Sequence, residues 1–157
     1  MRYNLPKAEL IDFLHLAEKN LLSAKKIKFE KSAEWREQNI PNYPGVYALF
    51  EKNNNLVYIG ESGNLKKRMD EINRTVNHSF RKQTGFLKFN GVKSSKKYDS
   101  EIEKKLDLYF AEELYVAYIE VCFGRLEIEE FIISNHQKKL TNSVKKRKLE
   151  NVIEYLK

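Results

Sequence analysis

Hydrophobic positions form two short uninterrupted runs in the first half of the chain. These runs, residues 46–50 and 56–59, are rich in β-branched and aromatic side chains, and the polar stretch 52–55 separates them. Such a pattern is typical of a β-hairpin. Because side chains alternate between the faces of a strand, an even-numbered connection would place Tyr47 and Tyr58 on the same face. The pattern therefore predicts two phenols on one surface, either sharing a site or packing against a helix with their hydroxyls at the rim.

Helical spacing of apolar residues dominates the rest of the chain, and Pro41 and Pro44 mark a break before the first strand. The predicted fold is α/β (α+β): a small, largely antiparallel β-sheet flanked by helices, with an extra N-terminal helix. We expect one domain, made of a helical extension (1–40), a core (41–143) and a basic C-terminal helix (144–157). The other predicted elements are helices at about 10–24, 65–73, 100–110, 125–137 and from about 146, a strand at 114–121, and a possible strand at 86–89 after a basic loop.

The helix predicted at 65–73 directs one arginine toward the sheet. Asn64 is a good N-cap, and Leu65 and Ile72 belong to the apolar stripe of this helix. Arg68 lies three residues after Leu65 and four before Ile72, so it borders that stripe. A guanidinium that points inward needs an anionic partner or ligand. Arg68 is therefore a candidate for either a structural ion pair or an anion-binding site.

The helix predicted at 125–137 carries three neighbouring acids that point to different sides. At about 100° per residue, Glu129 lies beside Ile132 on the apolar side, whereas Glu127 and Glu130 project toward solvent. A carboxylate on an apolar face is costly unless a cation compensates its charge. Either an arginine or a divalent metal ion would meet this requirement.

Charge is segregated along the chain. The net charge is +7, and residues 64–97 hold ten Lys or Arg against two acids, whereas residues 99–130 hold ten acids against three cations. Residues 138–148 add six cations and no acid. This segregation favours a basic surface for phosphates, although charge runs are often no more than solvated helix faces.

The composition restricts the other classes. A chain of 157 residues with 41% hydrophobic content is long enough for one domain with its own core. We find no membrane-length apolar run and no signal peptide, and expect a cytoplasmic protein without membrane contact. The single cysteine, Cys122, follows a strand-like run and is predicted to be an ordinary buried thiol.

The order and spacing of these residues resemble the GIY-YIG nuclease superfamily. Gly45-Val46-Tyr47 is followed eleven positions later by Tyr58-Ile59-Gly60, and then by Arg68. The segment Glu129-Glu130-Phe131-Ile132-Ile133 is similar to the metal-binding glutamate of that family with its apolar pair, and Asn142 is similar to the terminal asparagine. The combination of these motifs is far more specific than either tyrosine tripeptide alone.

The resemblance implies hydrolysis of a phosphodiester with one divalent ion, Mg²⁺ (or Mn²⁺). It makes Tyr47 the base, or the hydroxyl that positions the attacking water, and makes Tyr58 a second wall of the pocket. It assigns Arg68 to the negative charge that develops on phosphorus, and Glu129 to the metal ion. Asn142 would fasten the chain after the glutamate helix.

Two positions leave these assignments open. Many relatives carry a histidine or tyrosine four residues after the arginine, where this chain has Ile72. His78 is similar to a loop histidine of some relatives and is a secondary catalytic candidate, although a lone polar-loop histidine is more often only solvated. Counting back from Asn142 selects Glu130 instead of Glu129 as the metal ligand, whereas the helical face favours Glu129.

We therefore expect a stand-alone, magnesium-dependent DNA endonuclease of restriction type or small repair type, with RNA as an alternative substrate. Two other hypotheses remain: a nucleic-acid-binding module of the same fold with impaired catalysis, motivated by Ile72, and a structural protein for which the basic segment is incidental. The sequence does not define the oligomeric state. The residues predicted to contact nucleic acid are Lys66, Lys67, Arg74, Arg81, Lys82 and Asn142.

Overall fold

A four-stranded antiparallel sheet forms the centre of the protein, in a computed structural model that describes residues 6–74, 78–92 and 97–142. The strands are β1 (Ile27–Lys28), β2 (Gly45–Glu51), β3 (Leu56–Ser62) and β4 (Leu114–Glu120), in the order β1-β4-β2-β3. The α+β fold and the antiparallel sheet predicted from the sequence are confirmed. The helices are α1 (Lys7–Ser23), α2 (Ala33–Asn39), α3 (Leu65–Glu71), α4 (Ser79–Phe89), α5 (Ser100–Glu113) and α6 (Arg125–His136), followed by a 3₁₀ turn at Gln137–Lys139.

The sheet divides the core into two layers because side chains alternate along β2. Tyr47 and Leu49 join the layer beneath α2, α3, α4 and α5, whereas Val46 and Ala48 join the layer beneath α1 and α6. All four side chains are buried. The two tyrosines predicted to share a face therefore lie on the side of the sheet that α3 and α4 cover.

The chain after α6 returns to the exposed edge of β3. The backbone N–H of Thr141 donates to the Val57 carbonyl at 2.8 Å. The Asn142 side chain accepts from the Ile59 N–H at 3.0 Å and donates to the Ile59 carbonyl at 2.7 Å. Asn142 therefore imitates a paired strand residue, which gives it the fastening role expected of it and occupies both of its side-chain polar atoms.

Two local expectations were wrong. Residues 86–89 are not a strand but the end of helix α4, because His78 caps this helix and buried positions recur at helical spacing from Phe80 to Gly85. Cys122 is exposed, since it lies beyond the end of β4 in the turn that precedes α6. Strand β1 and helix α2 were not anticipated, and β1 makes part of the N-terminal extension a member of the sheet. The predicted C-terminal helix lies outside the described residues.

Across the part of the chain described, no helix has the length and apolar character needed to cross a membrane.

Candidate active site

The β2–β3 hairpin brings its two tyrosines together. Leu49 pairs with Tyr58 and Tyr47 with Gly60, so the two tyrosines are diagonal neighbours on one face. A register shift follows Leu49, which absorbs the irregularity of the turn. The ring centroids lie 6.2 Å apart with an angle of 30° between the planes.

Gly60 leaves room for the Tyr47 ring. A Cβ atom at Gly60 would stand 2.4 Å from both Cζ and Oη of Tyr47, far inside van der Waals contact. Any side chain at this position would therefore push the phenol away from its place across β3. The glycine that ends the second tripeptide of the motif thus has a direct steric reason in this chain.

His78 joins α4 to Tyr47 and has a defined tautomer. It is the N-cap of α4, and its Nδ1 accepts a hydrogen bond from the Phe80 backbone N–H at 3.1 Å. Its Nε2 lies 2.8 Å from the Tyr47 hydroxyl. A neutral imidazole carries one proton, and because Nδ1 is an acceptor, that proton must be on Nε2. His78 therefore donates to Tyr47, and the Tyr47 oxygen accepts.

Ser79, the residue after His78, contacts the second tyrosine of the site. The Tyr58 ring lies beside the Tyr47 ring, and the Tyr58 oxygen lies 3.1 Å from Ser79 Oγ. The sequence reasoning missed Ser79; its position directly after a candidate histidine, at the start of a helix, was the only signal available.

Helix α3 carries Arg68 to the same place. Asn64 caps this helix by accepting from the Lys67 N–H at 3.0 Å. Arg68 Nε is buried, and within residues 6–74, 78–92 and 97–142 it finds no hydrogen-bond acceptor, although it lies 3.5 Å from a Glu71 carboxylate oxygen in an ion pair. The guanidinium acts electrostatically on Tyr47, Tyr58 and His78. A buried donor of this kind beside two hydroxyls suits an anionic ligand.

Glu129 approaches the tyrosines from α6. It is 8% exposed, whereas Glu130 is half-buried and Glu127 is exposed. Its charge raises the pKa of both Tyr47 and Tyr58, which places it within electrostatic range of both hydroxyls. Of the three neighbouring acids, Glu129 is the one whose charge acts on both tyrosines.

Burial controls the protonation of this site. It raises the pKa of Tyr47 well above its ordinary value of 10.0, with Tyr58 and Glu129 adding to the rise and Arg68 opposing it. Burial raises the pKa of Tyr58 as well. Burial, and then the charge of Arg68, lower the pKa of His78 from 6.5 to about 3. The two tyrosines and the histidine are therefore all neutral at physiological pH.

Ile72, the departure from the family pattern, is fully buried in the apolar layer under α3. It offers no polar group to the site. His78 reaches the Tyr47 hydroxyl from the start of α4 instead, so a histidine still contacts the first tyrosine although none follows the arginine on α3.

The low pKa of His78 predicts how stability depends on pH. The unfolded histidine binds a proton below about pH 6.5 and the folded one only near pH 3, so the free energy of unfolding falls as the pH drops through that window. From pH 7.5 to 5 we expect a loss of about 2 kcal/mol from this group. In His78→Asn, which keeps an N-cap acceptor without titrating, this loss should disappear. Urea unfolding of both proteins at the two pH values checks it; equal losses in both would show that His78 is not the titrating group.

Four of the basic residues predicted to contact nucleic acid are exposed or half-buried. Lys67 and Arg74 are exposed on or just after α3. Arg74 pairs with Asp70 at 2.7 Å, and Lys66 pairs with Glu37 at 2.9 Å. Lys82 is half-buried on α4. Lys66 and Lys67 lie on α3 with Arg68, Arg74 follows that helix, and Lys82 lies on the helix that His78 caps, so their contact with nucleic acid stays a prediction.

The structure corrects the prediction that Arg81 contacts nucleic acid. Its side chain is only 3% exposed, and it contacts Glu103 at 2.7 Å and Asp107 at 2.8 Å. Its charge is neutralised by two carboxylates that join α4 to α5. Arg81 is therefore a structural ion-pair residue of the core and does not face a nucleic acid.

The donor set restricts the metal that the site would hold. In the described segments there is no group of three or more His, Cys, Asp or Glu side chains that would bind a metal by itself. Glu129 would be a single carboxylate ligand, with water and substrate oxygens completing the coordination. Mg²⁺ retains several waters and is commonly held in this way by one or two carboxylates and a substrate phosphate. The residues present thus fit a weakly held magnesium ion.

Comparison with known proteins agrees with this geometry. The family model described as "GIY-YIG catalytic domain" matches residues 43–148, most of the chain. The two tyrosine tripeptides, Arg68 and Glu129 all lie inside the matched region, and the chain belongs to the GIY-YIG nuclease family. The family assignment made from the motifs is therefore confirmed.

Among curated proteins, the chain is similar to UvrABC system protein C from several bacteria. Identity to the Brucella suis protein is 41% over 44 residues, which is 28% of this chain and 7% of that protein. Identity to the Helicobacter pylori protein (strain G27) is 56% over 32 residues, or 20% of this chain and 5% of that protein. The chain thus matches only a small part of these much longer relatives. No solved structure matches it.

Proposed function

We propose that this protein is a magnesium-dependent endonuclease that hydrolyses phosphodiester bonds in DNA. The proposal is carried by the observation that the charges of Arg68 and Glu129, from two different helices, both act on Tyr47 and Tyr58, with Arg68 Nε as a buried donor. The segregated positive charge of residues 64–97 supports a nucleic acid as the substrate. A restriction-type or small repair-type role and a cytoplasmic location stay predictions from the sequence.

In the proposed reaction, the water oxygen forms a bond to phosphorus in line with the bond to the 3′ oxygen, and that bond breaks. The attacking water gives up a proton to solvent and the leaving 3′ oxygen takes one up, so the products are a phosphomonoester and a hydroxyl group. Arg68 donates to the phosphoryl oxygens as negative charge accumulates on them. A magnesium ion held by Glu129 would polarise the phosphate and stabilise the leaving oxygen.

The proton arrangement gives Tyr47 a positioning role. With its pKa raised by burial, the Tyr47 phenol is neutral and is a poor base. His78 holds its proton on Nε2 and uses Nδ1 for the helix cap, so it is not free to take a proton from Tyr47. The pair instead fixes the Tyr47 oxygen, whose hydroxyl can orient the attacking water. Tyr58 and Ser79 would hold the other side of the same water-binding pocket.

The alternative is a nucleic-acid-binding module with impaired catalysis, which the apolar Ile72 favours. The contact between His78 and Tyr47 supports the enzyme instead, because it supplies a histidine to the first tyrosine by another route. Retention of Arg68 with a buried donor also supports the enzyme.

Supercoiled plasmid separates the two functions. At low salt, the protein should nick or linearise the plasmid with Mg²⁺ or Mn²⁺ and leave it intact with chelator. An Arg68→Ala protein purified in parallel controls for contaminating nucleases. Salt-sensitive binding without cleavage of plasmid, branched duplex or RNA would contradict the enzyme and support the binding module.

A further inference from the structure

The outward face of α4 begins in the candidate active site. Ser79, in the first turn, is exposed and contacts the Tyr58 hydroxyl. At about 100° per residue, the positions that follow Ser79 on the same side form a stripe along the whole helix. We define the α4 face as Lys82, Gln83, Phe86, Leu87 and Asn90.

This face is apolar in its middle although it is turned to solvent. Leu87 is 57% exposed and Phe86 is 38% exposed. The opposite side of the helix, with Phe80 and Thr84, is almost completely buried. The packing of α4 is therefore provided by its inner side, and the core does not account for the exposure of Leu87.

The charge around this face favours a polyanion. Helix α4 contains no acidic residue, and its one buried cation, Arg81, is already neutralised by α5. Lys82 is the cation of this face. The hydroxyl of Tyr98 donates to the Lys82 carbonyl at 2.6 Å, and Lys97, the residue before Tyr98, is exposed. Two amides, Gln83 and Asn90, interrupt the apolar residues, as suits a partner with alternating sugar, base and phosphate groups better than an apolar protein groove.

We propose that the α4 face binds the strand of nucleic acid that leaves the active site on one side of the scissile phosphate. This inference rests on the proposed function and adds a substrate-binding surface to it. The distance from Ser79 to Phe86 along the helix is about 10 Å, which spans about three base-pair steps at 3.4 Å each. Lys82 contacts a phosphate near the cleavage point, and Phe86 and Leu87 pack on sugars or bases further along.

Two matched pairs of variants test this surface by DNA binding without cleavage. Leu87→Glu is compared with Leu108→Glu on α5, where the leucine is also 57% exposed. Phe86→Ala is compared with Phe13→Ala on α1, where the phenylalanine is 39% exposed on the other side of the sheet. The probe is a fluorescent 20-base-pair DNA duplex with chelator present, read by anisotropy. We expect Kd to rise about tenfold for the two α4 variants and to stay unchanged for the two controls.

A second measurement guards against variants that fold poorly. In a Cys122→Ser background, Leu87→Cys and Leu108→Cys proteins carry a photoactivated cross-linker on the new thiol. The α4 protein should cross-link to the duplex and the α5 protein should not.

The outcomes are distinct. Equal Kd values and equal cross-linking for the α4 and α5 variants would overturn the α4 face while plasmid cleavage still supports the enzyme. A change from dimer to monomer by light scattering in Leu87→Glu, with DNA affinity unchanged, would assign the face to a second copy of the chain and overturn the proposal as well. Failure of the wild-type protein to bind or cleave any nucleic acid would remove the proposed function itself.

Discussion

Replacing Arg68 by alanine is expected to reduce the rate of DNA cleavage by about two orders of magnitude or more, with affinity for DNA nearly unchanged. The charge of Arg68 acts on the two tyrosines and on His78, and its buried Nε finds no hydrogen-bond acceptor in the described parts of the chain. A donor of this kind is most valuable when the phosphoryl group gains charge in the transition state. Single-turnover cleavage with saturating protein, beside anisotropy with chelator, measures the two quantities separately.

Lys67→Ala provides the contrast from the same helix. Lys67 is exposed one residue before Arg68, and its loss should raise KM and reduce the salt dependence of binding without lowering kcat. If Arg68→Ala instead weakens binding and rate by the same factor, Arg68 is a ground-state phosphate contact and the transition-state role is wrong. Thermal unfolding of both variants establishes that each remains folded.

The parts of the fold set by local patterns were predictable. The hairpin followed from two β-prone runs separated by a polar stretch, and α3 and α5 begin at side-chain caps, Asn64 and Asp99, that the sequence displays. Strand β1, with two residues, was not predictable, because its pairing depends on β4 nearly ninety positions away. The sequence Phe86-Leu87-Lys88-Phe89 contains two β-prone aromatic residues, yet the helix cap at His78 and burial of Phe80 prevail over that short pattern.

The sequence supplied candidate residues for the site but not the contacts between them. Motif spacing proposed Tyr47, Tyr58 and Arg68, and the helical face proposed Glu129. No pattern showed that His78 would turn its Nδ1 to the backbone and its Nε2 to Tyr47, since that choice depends on where α4 starts in space. Charge counting failed for Arg81 for the same reason: a run of basic residues does not show which of them meets carboxylates from another helix.

The hydrogen bonds of His78 also explain how a buried histidine with a pKa of about 3 can hold Tyr47 in place. A histidine that titrated near neutral pH would alternately donate to and lose its contact with Tyr47. In this protein one tautomer persists across the physiological range, because the Phe80 N–H fixes the acceptor nitrogen. The Tyr47 oxygen is thus held in one orientation under all conditions in which the enzyme would act.

Glu129→Gln is expected to reduce metal-dependent cleavage by about three orders of magnitude, because the lost metal ion would contribute several kcal/mol to the transition state. Glu130→Gln makes the same change of charge one position along α6 and should retain most of the activity. The two glutamates differ in the structure. Glu129 is 8% exposed and its charge raises the pKa of both tyrosines, whereas Glu130 is half-buried. Cleavage rates over a range of Mg²⁺ and Mn²⁺ concentrations test the pair.

Terbium provides a readout that does not depend on cleavage. A terbium ion bound at Glu129 would lie near Tyr47 and Tyr58, so excitation of tyrosine should produce terbium emission that Mg²⁺ displaces. Emission should be lost in Glu129→Gln and kept in Glu130→Gln. The reverse result in both assays would make Glu130 the metal ligand, and would mean that the buried carboxylate serves only to hold the tyrosine hydroxyls and Arg68 in place.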